Sequence, residues 1–137
     1  MYSRIVFAQD DDATQDGFLH TYEVFNLKLN ADLITLGACE TGLGKLSRGE
    51  RLIGLTRAFM YAGAPSIVVS LWSVDESTVE LMKLFYQNLK DGMSKVEALR
   101  HAKLKLSKSE GIFEDGQQFS YANPFLWAPF VLIGNWE

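Results

Sequence analysis

One cysteine, two histidines and three prolines stand in 137 residues, and these scarcities exclude a good deal. A single Cys cannot form an internal disulfide. With only two His beside it, no ordinary structural zinc site can be assembled. No apolar run is long enough to span a bilayer, and the first residues lack a charged and then apolar leader pattern. Positive charge is also in short supply. The formal net charge is −4, so neither nucleic acid nor an anionic membrane surface is an expected partner. No repeat and no low-complexity segment is present. Hydrophobic residues make up 47% and charged residues 22%, a globular composition sufficient for one domain and one core. The redox reading is a reducing cytosol, and no cofactor is implied.

The stretch Leu33-Ile-Thr-Leu-Gly-Ala-Cys39-Glu-Thr-Gly-Leu-Gly44 organises the rest. Leu33 to Leu36 is apolar and β-biased, and reads as a buried strand. Gly37 and Ala38 allow a sharp turn, Cys39 follows at once, and Gly42 and Gly44 supply a loop that tolerates positive φ. A strand ending on a lone thiol is where an α/β protein presents a nucleophile. The competing structural reading is a small buried hydrophobe. A phosphate loop, the third reading, fits poorly. Its first glycine position is Cys39, and the residue after Gly44-Lys45 is Leu46 rather than a hydroxyl.

Around this stretch the chain alternates strands and helices. Ser3 to Ala8 reads as a short strand, residues 9–17 as a polar turn, and His20 to Leu27 as a short helix. Ser47 and Glu50 form a capping-box pattern, and Leu52, Ile53, Leu55, Phe59 and Met60 form a helical face. Gly63 and Pro65 close that element, so Arg48 to Tyr61 is predicted helical. Ser66 to Trp72 reads as a second central strand, covered on both faces. Ser77 with Glu80 and Ser94 with Glu97 open two further helices, the first closed by Gly92. Ser107 to Tyr121 reads as a loop, and Phe130 to Ile133 as the last strand. This order predicts an α/β fold with an open, mostly parallel sheet and helices on both faces. In such sheets ligands bind beyond the carboxyl ends of the strands, where Cys39 and the Trp72-Ser73-Val74-Asp75-Glu76 turn both fall. Asp75 and Glu76 fit an anionic wall for a basic group as well as helix-start acids. His20 and His101 are the available bases, yet neither has a spacing that sets it against Cys39.

The run from Leu29 through Gly44 resembles the CHAT domain, a caspase-like domain often attached to tetratricopeptide repeats. The likeness continues through Leu55-Thr-Arg-Ala-Phe59, Ala62-Gly-Ala64, Ser70-Leu-Trp72, Val74-Asp-Glu76 and Trp127-Ala-Pro-Phe-Val131. It implies a caspase-like three-layer sandwich and a Cys–His cysteine peptidase chemistry related to separases. Cys39 is then the nucleophile, and its backbone N–H is half of the oxyanion hole. Trp72, Ser73, Asp75 and Glu76 line a pocket for a basic residue before the scissile bond. The implied partners are a protein substrate or regulatory protein, with tetratricopeptide repeats in the parent.

The departures carry their own expectations. The family places its base on a His-Gly strand upstream of the segment resembling Tyr2 to Phe7. The reading is therefore one domain over residues 1–137, truncated at its N-terminus and inactive alone. An apolar sheet edge without that strand predicts a homo-oligomer. Gly37 stands where the family often has Ser. The alternative is a non-catalytic interaction or scaffold module of the same fold.

Overall fold

The structure, a computed structural model, describes residues 4–7, 16–37, 48–72, 77–112 and 118–137. In chain order it comprises β1 (Arg4–Val6), β2 (Phe18–His20), α1 (Thr21–Val24), β3 (Ile34–Leu36), α2 (Arg48–Tyr61), β4 (Ser66–Ser70), α3 (Ser77–Lys90), α4 (Lys95–Leu106), β5 (Glu110–Ile112), β6 (Gln118–Ser120), α5 (Pro124–Trp127) and β7 (Phe130–Gly134). Helices and strands alternate, as an α/β fold requires.

Strand β4 is the centre. It pairs with β3 in parallel, Ile34 opposite Ile67 and Leu36 opposite Val69. It pairs with β7 antiparallel, Ser66 opposite Gly134 and Ser70 opposite Phe130. The uninterrupted apolar run of β4 is buried throughout, with Ile67 and Val68 at 0% exposure. Alternation along the strand sends Ile67 and Val69 into one cluster with Val24 of α1, Ala58 and Phe59 of α2, and Ala62 just past it. Val68 enters another with Leu81 and Phe85 of α3, Ala98, Leu99, Ala102 and Leu106 of α4, Tyr121 and Phe130. Helices thus cover both faces, as expected. Burial of each Val, Leu, Ile or Phe among these is worth about 1.5–3 kcal/mol.

The expectation of a mostly parallel sheet is corrected. Among the described residues β3–β4 is the parallel pair, while β4–β7, β1–β2 and β5–β6 are antiparallel. The reason lies in how the chain arrives at β7. The Leu71 N–H, just past β4, donates to the Pro129 carbonyl at 2.8 Å. The last strand therefore starts where β4 ends and has to run back along it.

Two pairs of strands escape the sequence reading. The helix expected over His20 to Leu27 is confined to Thr21–Val24, and His20 closes β2. Gly17, at φ 68°, precedes β2, and its carbonyl accepts from Phe7 N–H at 2.9 Å. The loop expected over Ser107 to Tyr121 contains β5 and β6. Gly111 is required there, because a Cβ would strike the Phe119 ring that lies across it. An aromatic side chain covering a bare backbone holds this polar pair in register.

Helix ends follow the local signals. Helix α2 spans the residues expected of it. At its close the Gly63 N–H (φ 110°) donates to Met60 O at 3.2 Å, and Ala64 N–H to Phe59 O at 3.1 Å. Gly92 and Met93 repeat the arrangement after α3, onto Leu89 and Asn88. Gly63 also lies against the approach to β3, where a Cβ would come within 2.5 Å of Leu29 O. Helix α4 carries the expected box, with Ser94 Oγ accepting from Glu97 N–H and Ser94 N–H donating to Glu97 Oε2 at 3.3 Å. Ser47, the cap expected for α2, lies outside the described residues. Ser94→Ala is expected to remove about 1 kcal/mol, read as a lower urea midpoint at unchanged slope.

Candidate active site

Parallel pairing of β3 and β4 sets the carboxyl ends of both strands at one edge of the sheet, with Gly37 following one and Leu71-Trp72 following the other. Gly37 is exposed, and a Cβ built on it meets nothing within 4 Å. Among the described residues nothing obstructs a serine Cβ at this position. Cys39, Ser73, Asp75 and Glu76 lie outside the described residues, and Trp72 is the described member of the expected set.

Trp72 is fixed by contacts far off in the sequence. Its indole Nε1–H donates to Phe125 O at 3.1 Å, and its ring stacks on that of Phe125, with centroids 5.7 Å apart and planes 21° apart. Helix α5 presents Phe125. Asn123 Oδ1 accepts the Phe125 N–H at 3.0 Å, Pro124 occupies the first turn, and the Ala128 N–H closes onto Pro124 O at 2.8 Å. Leu126 and Trp127 anchor this turn against the α3–α4 core cluster, while Phe125 stays 54% exposed. Sequence reasoning missed Phe125. The Asn123-Pro124 pair, a cap followed by a proline, was the available signal.

Beneath the edge, Thr35 Oγ1 of β3 and the Tyr86 hydroxyl of α3 are hydrogen-bonded at 2.7 Å. This bond ties the strand that leads to Gly37 to helix α3.

The two histidines sit elsewhere in the architecture. His20 closes β2 with its Nε2 3.5 Å from Asp16 Oδ2 and its ring stacked on Tyr22 at 5.2 Å. Its backbone N–H donates to Glu23 Oε2 at 2.7 Å. On the same pair of strands the Arg4 guanidinium lies 3.8 Å from the Phe18 ring centre. The Phe18 backbone N–H, donating to Asp16 Oδ1 at 3.0 Å, holds the Asp16 carboxyl below its usual range, with His20 adding to the effect. His101 is exposed on α4. Two positions on, Lys103 is half-covered, and burial lowers the pKa of its ammonium. Among the described residues no cluster of three His, Cys, Asp or Glu is placed to hold a metal. Among them, too, no helix is long and apolar enough to cross a membrane.

Chemically, this edge offers an exposed glycine backbone leading to a thiol-bearing segment, and a rigid aromatic pair leading to an acidic one. The CHAT domain family model matches residues 1–135. Tetratricopeptide repeat protein 28 of Homo sapiens is 31% identical over 122 residues, which is 88% of this chain and 4% of that protein. Its Mus musculus counterpart is 29% identical over 114 residues, 82% of this chain and 4% of that protein. The chain thus spans a small fraction of the curated relatives it matches.

Proposed function

The chain belongs to the CHAT domain family, and on that premise we propose that it is the C-terminal portion of a cysteine endopeptidase-type domain of caspase-like, three-layer build. Cys39 is its nucleophile. The thiolate adds to the scissile carbonyl, the Cys39 backbone N–H receives the developing oxyanion, and the amine leaves with a proton delivered by the base. Trp72, Ser73, Asp75 and Glu76 form the wall that favours a basic residue before the scissile bond. The observation that supports this reading is the parallel β3–β4 pair, which brings the strand leading to Cys39 and the strand leading to Trp72 to one edge.

His20 is engaged by Asp16 and Tyr22, and His101 lies exposed on α4, so neither is assigned as the base. On this reading the base and the second oxyanion donor belong to a His-Gly strand of a longer parent, and the present chain does not turn over substrate. Strand β3 has one neighbour among the described residues and carries no charge or proline along Ile34–Leu36. Its other side takes that strand or, without it, a second copy of the chain. A thiolate nucleophile suits a reducing, cytoplasmic setting. The protein partners are a substrate or regulator, with tetratricopeptide repeats in the parent.

The test is an irreversible thiol-directed peptidyl probe with Arg or Lys beside the reactive group. It is applied to the 137-residue chain, to a chain extended upstream, and to Cys39→Ala versions of both. Intact mass is expected to show labelling of the extended chain only, lost in Cys39→Ala. Labelling of the short chain sinks the claim that it is inactive and makes His20 the base to examine. Labelling of neither favours a non-catalytic scaffold module.

A further inference from the structure

We infer that the outward face of α4, continued to Lys108, is a docking surface for an acidic peptide segment of a partner protein, held by Arg100, Lys105 and Lys108 around Leu104. Ala98, Leu99, Ala102 and Leu106 turn the opposite face of the helix into the core. Arg100, Leu104 and Lys108 follow at intervals of four residues, so they stand in a row on the solvent side. The helical course holds to the end of that row, where the Lys108 N–H donates to Lys105 O at 3.3 Å. Arg100, Lys105 and Lys108 are exposed, and so is Leu104 at 42%.

Charge is segregated onto this element. From Lys95 to Lys108 five cations meet one acid, Glu97, and the whole chain is at −4, so the remaining residues together stand at −8. Glu97 is taken up by the cap, its Oε2 accepting from Ser94 Oγ at 2.8 Å. Lys95 is taken up as well, donating to Glu137 O at 2.6 Å. Among the described residues no carboxylate lies within ion-pair distance of Arg100, Lys105 or Lys108. On α3, by contrast, Lys83 is paired with Glu80 at 2.6 Å. The helix macrodipole accounts for Lys105 in the last turn, but not for Arg100 in the middle of α4 or for an exposed leucine between two cations. A bilayer or a long polyanion would also meet the −8 of the remaining residues, whereas a short acidic segment lies along the row alone. The row is about 12 Å long. Five extended residues reach about 17 Å, enough to set carboxylates on both sides of Leu104.

The experiment is a nuclear magnetic resonance titration of the 137-residue chain with the blocked pentapeptide Glu-Glu-Phe-Glu-Glu at low salt. None of the residues assigned to catalysis takes part, so the outcome is separate from that of the peptidase reading. Backbone amides of residues 96–108 are expected to shift, and the Gln-Gln-Phe-Gln-Gln peptide is expected to leave them in place. Exposed ion pairs are individually weak and screened, so affinity is expected to fall at least about fivefold between about 25 and 250 mM salt. Arg100→Gln, Lys105→Gln and Lys108→Gln combined are expected to weaken binding about tenfold. Lys28→Gln, Arg57→Gln and Lys90→Gln combined remove the same charge elsewhere and are expected to change it by less than about twofold. Leu104→Ala is expected to weaken binding about twofold to threefold. Unmoved amides of β4 confirm that the variants remain folded. No shift along α4, equal losses from the two triple variants, or a response to phosphatidylserine vesicles in place of the peptide overturns the proposal.

Discussion

Phe85→Ala is expected to cost about 3–5 kcal/mol and to lower the melting temperature by about 10–20 °C. Phe85 lies on α3 at 0% exposure and is the largest fully buried side chain among the described residues. It packs in the cluster where α3 and α4 meet the Val68 face of β4, with Tyr121 and Phe130 closing the other sides. Its ring also meets that of Tyr86 at 5.3 Å between centroids. Several elements converge on one side chain, so a cavity left by truncation cannot close without moving a helix or the sheet. Asn88 constrains such a movement, because its side-chain amide donates to Ala98 O at 3.0 Å and pins α3 to α4. Phe85→Leu keeps most of the volume and is expected to cost about 1.5 kcal/mol or less. Calorimetry of both variants checks the pair. A loss below about 1.5 kcal/mol for Phe85→Ala would show that this side of the sheet repacks freely.

Gly134→Ala is expected to cost about 2–4 kcal/mol, well above what its size suggests. Gly134 sits at φ 101°, where a Cβ is strained, and that Cβ would overlap the Pro65 carbonyl oxygen. The obstacle is backbone, so no rotamer change relieves it. The same carbonyl accepts the Asn135 N–H at 2.8 Å, and Ser66 Oγ donates to Asn135 O at 2.6 Å. Beyond them the Trp136 carbonyl accepts from Val96 N–H at 3.3 Å, at the start of α4. Gly134 thus governs how β7 leaves the sheet and how the last residues reach α4. Gly92 provides the control, because it has φ 89° and nothing within 4 Å of a built Cβ. Gly92→Ala is expected to lose only the backbone contribution, about 1 kcal/mol. Urea unfolding of both variants separates strain from overlap, and equal losses would mean that the Pro65 contact does not matter.

Several elements were legible because their determinants are local. A capping box and a glycine stop lie within a turn of the helix they delimit. The Ser94–Glu97 box and the Gly63 and Gly92 closures therefore appear where the sequence places them. The continuous apolar run of β4 announces burial on both faces whatever covers it. By contrast, β2 was hidden behind the helical spacing that follows it, and β5 and β6 behind polar composition. Their pairing rests on contacts between strands, including the Phe119 ring over Gly111, which no periodicity encodes. At the candidate site, Trp72 could be named from its place after the second central strand. Phe125 could not, since its partner lies 53 residues away. Cys39, Ser73, Asp75 and Glu76 remain assignments of sequence and family.

The sequence by itself determined an α/β chain of capped helices around a buried central strand, because those outcomes depend on interactions spanning a few residues and on hydrophobic period. It also carried the CHAT signature, since the residues that bear it stand in contiguous short runs. Tertiary structure decided the antiparallel course of β7 and the union of Trp72 with Phe125. Both depend on where α5 delivers the chain. That is set by packing Leu126, Trp127 and Phe130 onto a core assembled from α3 and α4, which no local segment of sequence specifies.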